Sequence, residues 1–323
     1  MSGVVTSFMN IFRFHKMKIF AFVIFTLFFM IYLFPFDDLT DLMTTKVSEA
    51  TKGSIYVQAE GMGIHWLPTP GIKLNSVVIQ PSNFPNVSAR ELSIAPSLLS
   101  LLKGSVGARI TALGLFRGDV DVHYEEAEKN KAGQPTQKID VNASEIALQS
   151  MSQFLKDMNM GDYKLQGALS INGQAKVDPS FEEQPNANIA LNIKNFVFPA
   201  YVANTPAGAF ALPELKFKKS VLKSNLAEGK LQVEELTFGD EKDELNCTFK
   251  GDIVTRLSKD RPMPDFGAYS FTVDVKVLQN FYNQNSSIFM LLDQYKKTMA
   301  GGQRFTFKIS AENTMGMPRI TAL

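Results

Sequence analysis

The sequence predicts a mainly β protein: an N-terminal transmembrane helix, then a large, mostly antiparallel, curved sheet, groove or sandwich, with two or three short covering helices. Three observations predict it. One uncharged apolar run stands near the N-terminus, period-two alternation dominates from residue 53 onward, and only two later stretches show helical spacing.

The apolar run is "IFAFVIFTLFFMIYLFPF", residues 19–36. As a helix rising ~1.5 Å per residue it spans roughly 27 Å, close to the hydrocarbon thickness of a bilayer. Ile19, Phe22, Phe25, Phe28, Phe29, Tyr32, Leu33 and Phe36 are its candidate anchor residues. Arg13, Lys16 and Lys18 flank it on one side and Asp37, Asp38 and Asp41 on the other, so the positive-inside bias leaves residues 1–18 in the cytoplasm and exports the rest. A cleaved signal peptide has a shorter apolar region and a small-x-small cleavage site, and "YLFPFDD" offers neither. A start at Met17 instead of Met1 would keep the anchor and lose much of the basic flank.

Alternation is clearest in "YKLQGALSINGQAKV", where Tyr163, Leu165, Leu169, Ile171, Ala175 and Val177 share one parity and polar residues fill the other. It is one long strand, or a hairpin if Asn172-Gly173 makes a tight turn. "YSFTVDVKV" repeats the pattern with Tyr269, Phe271, Val273 and Val275 on its apolar side. Of these, Tyr163, Leu165, Leu169, Ile171, Tyr269, Phe271, Val273 and Val275 mark a candidate apolar sheet face. In "KLQVEELTF" the parity slips between Val233 and Leu236, which predicts a bulge. In "ELNCTFKG" the lone cysteine, Cys247, shares a face with Leu245 and Phe249, the setting of a buried thiol rather than of an intermolecular bridge.

Helical spacing appears near 144–160, with Ser144 as N-cap and Gly161 beyond the end, and near 278–299, where Asn283 to Ser287 divide the stretch. Residues 125–143 are charged, contain Gly133 and Pro135, and read as a mobile polar loop. The chain then divides into a cytoplasmic terminus 1–18, the helix 19–36, a first β-region 37–124, that loop, and a second β-region 144–323.

Catalytic chemistry has little to draw on. A net charge of +1, from 33 Lys and Arg mixed with 32 Asp and Glu, argues against nucleic acid as partner. His65 and His123 are the only exported histidines and lack companions at metal-ligand spacing. Gly61 and Gly63 lack the rest of a dinucleotide loop, and neither a phosphate loop nor a nucleophile elbow is present. The chain is therefore read as a non-enzyme with no cofactor or metal. Its notable excess is apolar: a one-layer sheet needs cover from helices, a second sheet, a partner protein or lipid.

Between two β-rich segments lies "PSLLSLLKG", too short to span a bilayer. Pro96 would start a helical turn, Gly104 would end it, and Leu98, Leu99, Leu101 and Leu102 would cover one end of the sheet. With its context, "ARELSIAPSLLSLLKGSVGARITALGLFRGDVDVHY", and the preceding anchor, this corner resembles the AsmA-like superfamily. Within that group the layout most resembles the longer variant of the type II secretion protein N (GspN) family, through "YLFPFDDL", "SNLAEGKLQVEELTFGDEKDELNCTFKGDIV" and "ISAENTMGMPRI". The resemblance implies an accessory component of the secretion machinery, single-pass in the bacterial inner membrane, with its C-terminal part in the periplasm. Other type II secretion components would be its partners. It implies no catalytic residues. AsmA-like proteins are linked to lipid handling, so the alternative is a lipid-binding or lipid-transfer protein that holds phospholipid in an apolar groove.

Overall fold

Strand pairing follows chain order almost throughout. The computed structural model describes residues 16–33, 39–65, 69–82, 84–131, 133–158, 163–205, 208–258, 261–312 and 318–323. The strands are β1 Ile55–Gln58, β2 Gly61–His65, β3 Gly71–Pro81, β4 Val87–Pro96, β5 Gly107–Leu115, β6 Gly118–Lys129, β7 Pro135–Ala147, β8 Gln166–Val177 and β9 Asn186–Phe198. They continue with β10 Tyr201–Thr205, β11 Gly208–Leu212, β12 Leu215–Ala227, β13 Lys230–Phe238, β14 Leu245–Ser258, β15 Arg261–Leu278, β16 Lys296–Met299, β17 Gly302–Ala311 and β18 Arg319–Ala322.

One 16-stranded sheet runs β1-β3-β4-β5-β6-β7-β8-β9-β12-β13-β14-β15-β17-β16, with β2 also on β3 and β18 also on β17, while β10 and β11 form a separate hairpin. Every pairing found is antiparallel, as short connections between consecutive strands require. The Asn172-Gly173 pair lies inside β8 and makes no turn. The parity slip in β13 is a register shift between Val233 and Leu236, the bulge that the sequence predicts.

Helices gather where the apolar face needs cover. After α1 (Lys16–Tyr32), α2 (Thr40–Ala50) sets Leu39, Met43 and Val47 on Val57, Met62, Leu74 and Val77. A five-residue α3 (Leu98–Leu102) links β4 to β5, and Gly104 ends it at φ +71°. Following β7, α4 (Leu148–Asp157) covers a cluster of Ala143, Ile146, Leu148, Leu169, Phe196 and Phe217. After β15 come α5 (Gln279–Gln284), α6 (Ser286–Phe289) and a 3-10 turn, Met290–Tyr295, which cover Val273, Val275, Val277, Phe305 and Phe307. The expected stretch 278–299 is thus broken at Asn285, and its last four residues are β16.

Four expectations need correction. First, the helix that carries the apolar segment is Lys16–Tyr32, 17 residues and roughly 26 Å at ~1.5 Å per residue, and residues 34–36 of the segment lie outside the described residues. Among the described residues no helix is long and apolar enough to cross a membrane. Of the orientation and anchor residues, Arg13 and Phe36 lie outside the described residues, as do Asp37 and Asp38. Second, 125–143 is mostly strand: β6 and β7 continue through it, joined by a short turn near Gly133. Towards the turn, backbone pairing persists without an apolar face, as in Glu126↔Gln137 and Lys129↔Pro135. Third, Ser144 is a residue of β7 and caps no helix. Glu145 takes φ +56° at a bulge, and the helix begins at Leu148. Gly161 lies outside the described residues. Fourth, Leu98 and Leu102 of the corner face outward, 47% and 86% exposed, and do not cover the sheet, while the side chains of Leu99 and Leu101 lie outside what is described.

Candidate functional site

Because a strand alternates sides, cross-strand register decides whether apolar positions align from one strand to the next. Here they align over nearly the whole sheet. From β3 to β17, the paired positions read Leu74, Leu92, Ala112, Val120, Ala143, Ile171, Leu191, Leu222, Leu236, Phe249, Val273 and Phe307. At ~4.8 Å between strands this unbroken apolar row is about 50 Å long.

The row nearer the connections that carry α4, α5 and α6 is closed. Phe305 is fully buried and stacks on Phe289 at 5.4 Å between ring centroids, and Phe196 lies against Phe217 at 6.1 Å. Towards the opposite strand ends the cover stops. There Ile139, Ala175, Ala187, Leu226, Leu231, Ile253 and Tyr269 pair strand to strand, remain half-buried, and belong to none of the three buried clusters. A depression of about 470 Å³ opens at that end, lined by Ala175, Ala187 and Leu226 with Lys138, Lys176 and Asn188.

The candidate face residues divide between these regions. Leu169, Val273 and Val275 are buried, and Leu165 and Ile171 pack on the cluster under α4. Tyr269 and Phe271 touch at 6.1 Å and are half-buried in the less covered part. Tyr163 precedes β8, is 37% exposed, and meets Tyr201 of the β10–β11 hairpin at 6.4 Å instead of joining the face. Phe22, Phe25, Phe28 and Phe29 of α1, and Leu33 just past its end, are all more than half exposed, and Lys18 lies in its first turn. Lys16, Ile19 and Tyr32 also belong to this helix.

The opposite face is ionic. Lys73–Glu91, Arg109–Asp121, Lys138–Glu125, Lys194–Glu145, Lys223–Glu235, Lys230–Asp252 and Arg304–Asp274 pair across neighbouring strands or one strand further, so its charges largely cancel. Each edge leaves backbone N–H and C=O groups available. All four residues of β18 are exposed, while Lys296 and Lys297 guard β16 beside it.

Two polar groups carry clear electrostatic signatures. Asp178 is held down to about 2, chiefly by the Ser180 hydroxyl and also by the Ser180 and Glu183 amides, which tie the β8–β9 connection together. Burial, and then the Asp274 carboxylate, pushes the Cys247 thiol up to about 12. Leu245, Cys247 and Phe249 pack together on the cluster under α5 and α6. This thiol is a packing group, not a nucleophile.

One constellation was not legible in the sequence, because its members come from three separate strands and corners. Ser97 Oγ lies 3.3 Å from His123 Nε2, and His123 Nδ1 lies 3.8 Å from Asp140 Oδ2, in the order of a hydrolytic triad. Ser97 is only 7% exposed, and its oxygen already accepts the Ser100 amide at 3.3 Å and contacts Ser100 Oγ at 2.9 Å. The histidine–carboxylate separation also exceeds hydrogen-bond reach. These groups fasten α3 to the sheet. Among the described residues no group of three or more His, Cys, Asp or Glu side chains could hold a metal ion.

No curated protein and no solved structure matches the chain. A family model does: that of the type II secretion system protein GspN-like, Synergistales, over residues 15–197, from the apolar helix to the end of β9. The match takes in more than half of the sequence, and the chain therefore belongs to the GspN-like family of type II secretion system proteins.

Proposed function

We propose that this protein is a non-enzymatic accessory component of a type II secretion system, attached to the bacterial inner membrane by residues 19–36, with its sheet in the periplasm and its action through protein–protein contacts. The family match over 15–197 carries this reading. An apolar α1 whose described side chains face outward supports the attachment, and the open strands at β16 and β18 offer main-chain partners for strand addition. Cross-linking in membranes followed by purification of the full chain tests it. Other secretion components should be recovered in its adducts. Recovery of lipid alone, with no secretion component, would overturn the reading.

A second reading, an AsmA-like lipid-binding or lipid-transfer role, is favoured by the apolar row from Leu74 to Phe307 and the half-buried residues beside it. It requires phospholipid to co-purify with the protein. Native mass spectrometry that finds no bound lipid, and no uptake from vesicles, rejects it.

A further inference from the structure

The outer edge of β17 is covered by two segments of different standing. β16 pairs with residues 302–305 through the tight Gly301 turn, whereas β18 pairs with residues 307–310. β18 is weakly held. Arg319, Ile320, Thr321 and Ala322 are all exposed, so none of its side chains is buried. Among the described residues, the hydrogen bonds that fasten it beyond its pairing with β17 run from Tyr295 Oη to the Ile320 carbonyl at 3.3 Å and from Lys297 Nζ to the Leu323 carbonyl at 2.8 Å. A four-residue strand without a buried side chain opens at little free-energy cost. β17 keeps its place without it, because it pairs with β15 along its whole length and buries Phe305 and Phe307. Charge also makes β18 a poor match. Lys308 lies directly opposite Thr321 and has no ion pair among the described residues, and Arg319 has none either. Lys297 adds a third cation beside them, and Glu312, just past β17, pairs with none of the three.

We propose that β18 is a placeholder on a docking edge, displaced when an acidic, extended segment of a partner protein pairs with residues 307–310 of β17. The proposal rests on the protein–protein reading above and names the strand that receives the partner. Backbone N–H and C=O groups in a row are completed only by another extended chain, and the seated β18 shows that this edge takes one in antiparallel register. Register also sets the sequence that fits. Opposite Ile309 the segment needs an apolar residue, as Ile320 is, because Phe271, Ile309 and Ile320 continue one apolar row. Opposite Phe307 it needs a small one, as Ala322 is, because the Tyr295 ring already lies against Phe307 at 5.3 Å. Between them, a carboxylate in place of Thr321 gives Lys308 the ion pair it lacks, and the cations nearby favour a second.

The test uses the full chain carrying Cys247→Ala, in detergent, with a fluorescein-labelled peptide that repeats residues 317–323 with glutamate in the positions of Arg319 and Thr321. The unaltered peptide is the control, and fluorescence anisotropy reads binding. Ser310→Cys with Arg319→Cys, directly opposite each other, locks β18 in place as a disulfide. Ile320→Pro with Thr321→Pro loosens it, since one of two neighbouring amides must face β17. The acidic peptide should saturate the reduced cysteine variant, bind several-fold more tightly to the proline variant, and fail to bind the oxidised form. Oxidised and reduced forms are one protein, so loss of folding cannot imitate this difference. Lys308→Glu should weaken the acidic peptide several-fold and remove its advantage over the control. Equal binding to oxidised and reduced forms, or none to the proline variant, overturns the docking edge, and secretion components recovered in membrane cross-links then leave the accessory reading standing. Peptide binding with no secretion component in any membrane adduct supports the edge and overturns that reading. Equal binding of the two peptides overturns an acidic partner. Cross-links from Lys297→Cys in membranes that join only two copies of this chain identify a second copy as the occupant and also overturn the proposal.

Discussion

Replacing Phe305 by alanine and, separately, Ile253 by alanine distinguishes the closed part of the apolar face from its open part. Phe305 is fully buried between Phe289, at 5.4 Å, and Tyr282, at 6.3 Å, with helices above it that cannot collapse into the space left behind. Truncation there costs about 3–5 kcal/mol, the transfer loss plus the cavity. Ile253 pairs with Leu231 and Tyr269 but is only half-buried. Removing three of its carbons at ~0.8 kcal/mol each, halved for exposure, costs about 1 kcal/mol. Urea unfolding of the full chain in detergent, followed by far-ultraviolet circular dichroism, measures both. Because the denaturant slope is set mainly by surface exposed on unfolding, it is shared by the two variants, and the midpoint shift of Phe305→Ala should be about three- to fivefold that of Ile253→Ala. Equal shifts would show a uniformly filled core and refute the division drawn here.

Other outcomes follow from particular contacts. Gly251→Ala should lower the unfolding midpoint sharply, since a β-carbon there collides with the Ser270 carbonyl, whereas Gly173→Ala, with nothing nearer than the Asn188 carbonyl at 3.9 Å, should be neutral or stabilising by up to about 1 kcal/mol. Matching effects of the two substitutions would contradict the register. Asp178, with its folded value depressed from 3.8 to about 2, contributes stability that is present above pH 3.8 and lost as pH falls towards 2. Asp178→Asn should destabilise the protein at neutral pH and flatten its acid-unfolding profile across that window, and an unchanged profile would deny the carboxylate this role. With its thiol raised from 9.0 to about 12, Cys247 should react with iodoacetamide at pH 8 on the order of a thousandfold more slowly than an unfolded cysteine, and urea should abolish the difference.

Alternation made the strands readable wherever one side was apolar, and it located the β13 bulge and the shared face of Leu245, Cys247 and Phe249. It failed where strands outrun the apolar rows. Glu125–Lys129 and Pro135–Lys138 are paired through backbone groups and through ion pairs such as Glu125–Lys138 and Glu128–Lys176, so their composition resembles a loop while their hydrogen bonding is that of a sheet. Leu98 and Leu102 of the leucine corner misled for a related reason. Composition states that something will be buried, but landing on the polar side of β6 decided that it would be Ser97 and Ser100. The extent of helical cover along the face was unreadable, because it depends on which strand ends carry α4, α5 and α6.

The order of the strands has a kinetic consequence. From β3 to β15, apart from the β10–β11 hairpin, each strand of the main sheet pairs with the strand that precedes it in the chain, so a newly made strand always finds its template already formed. Loop closure then involves only short segments, which keeps the entropic barrier to each addition low. Such a sheet grows by zippering from its N-terminal edge while the rest of the chain is still emerging. At every stage a single growing edge lies open to misassociation.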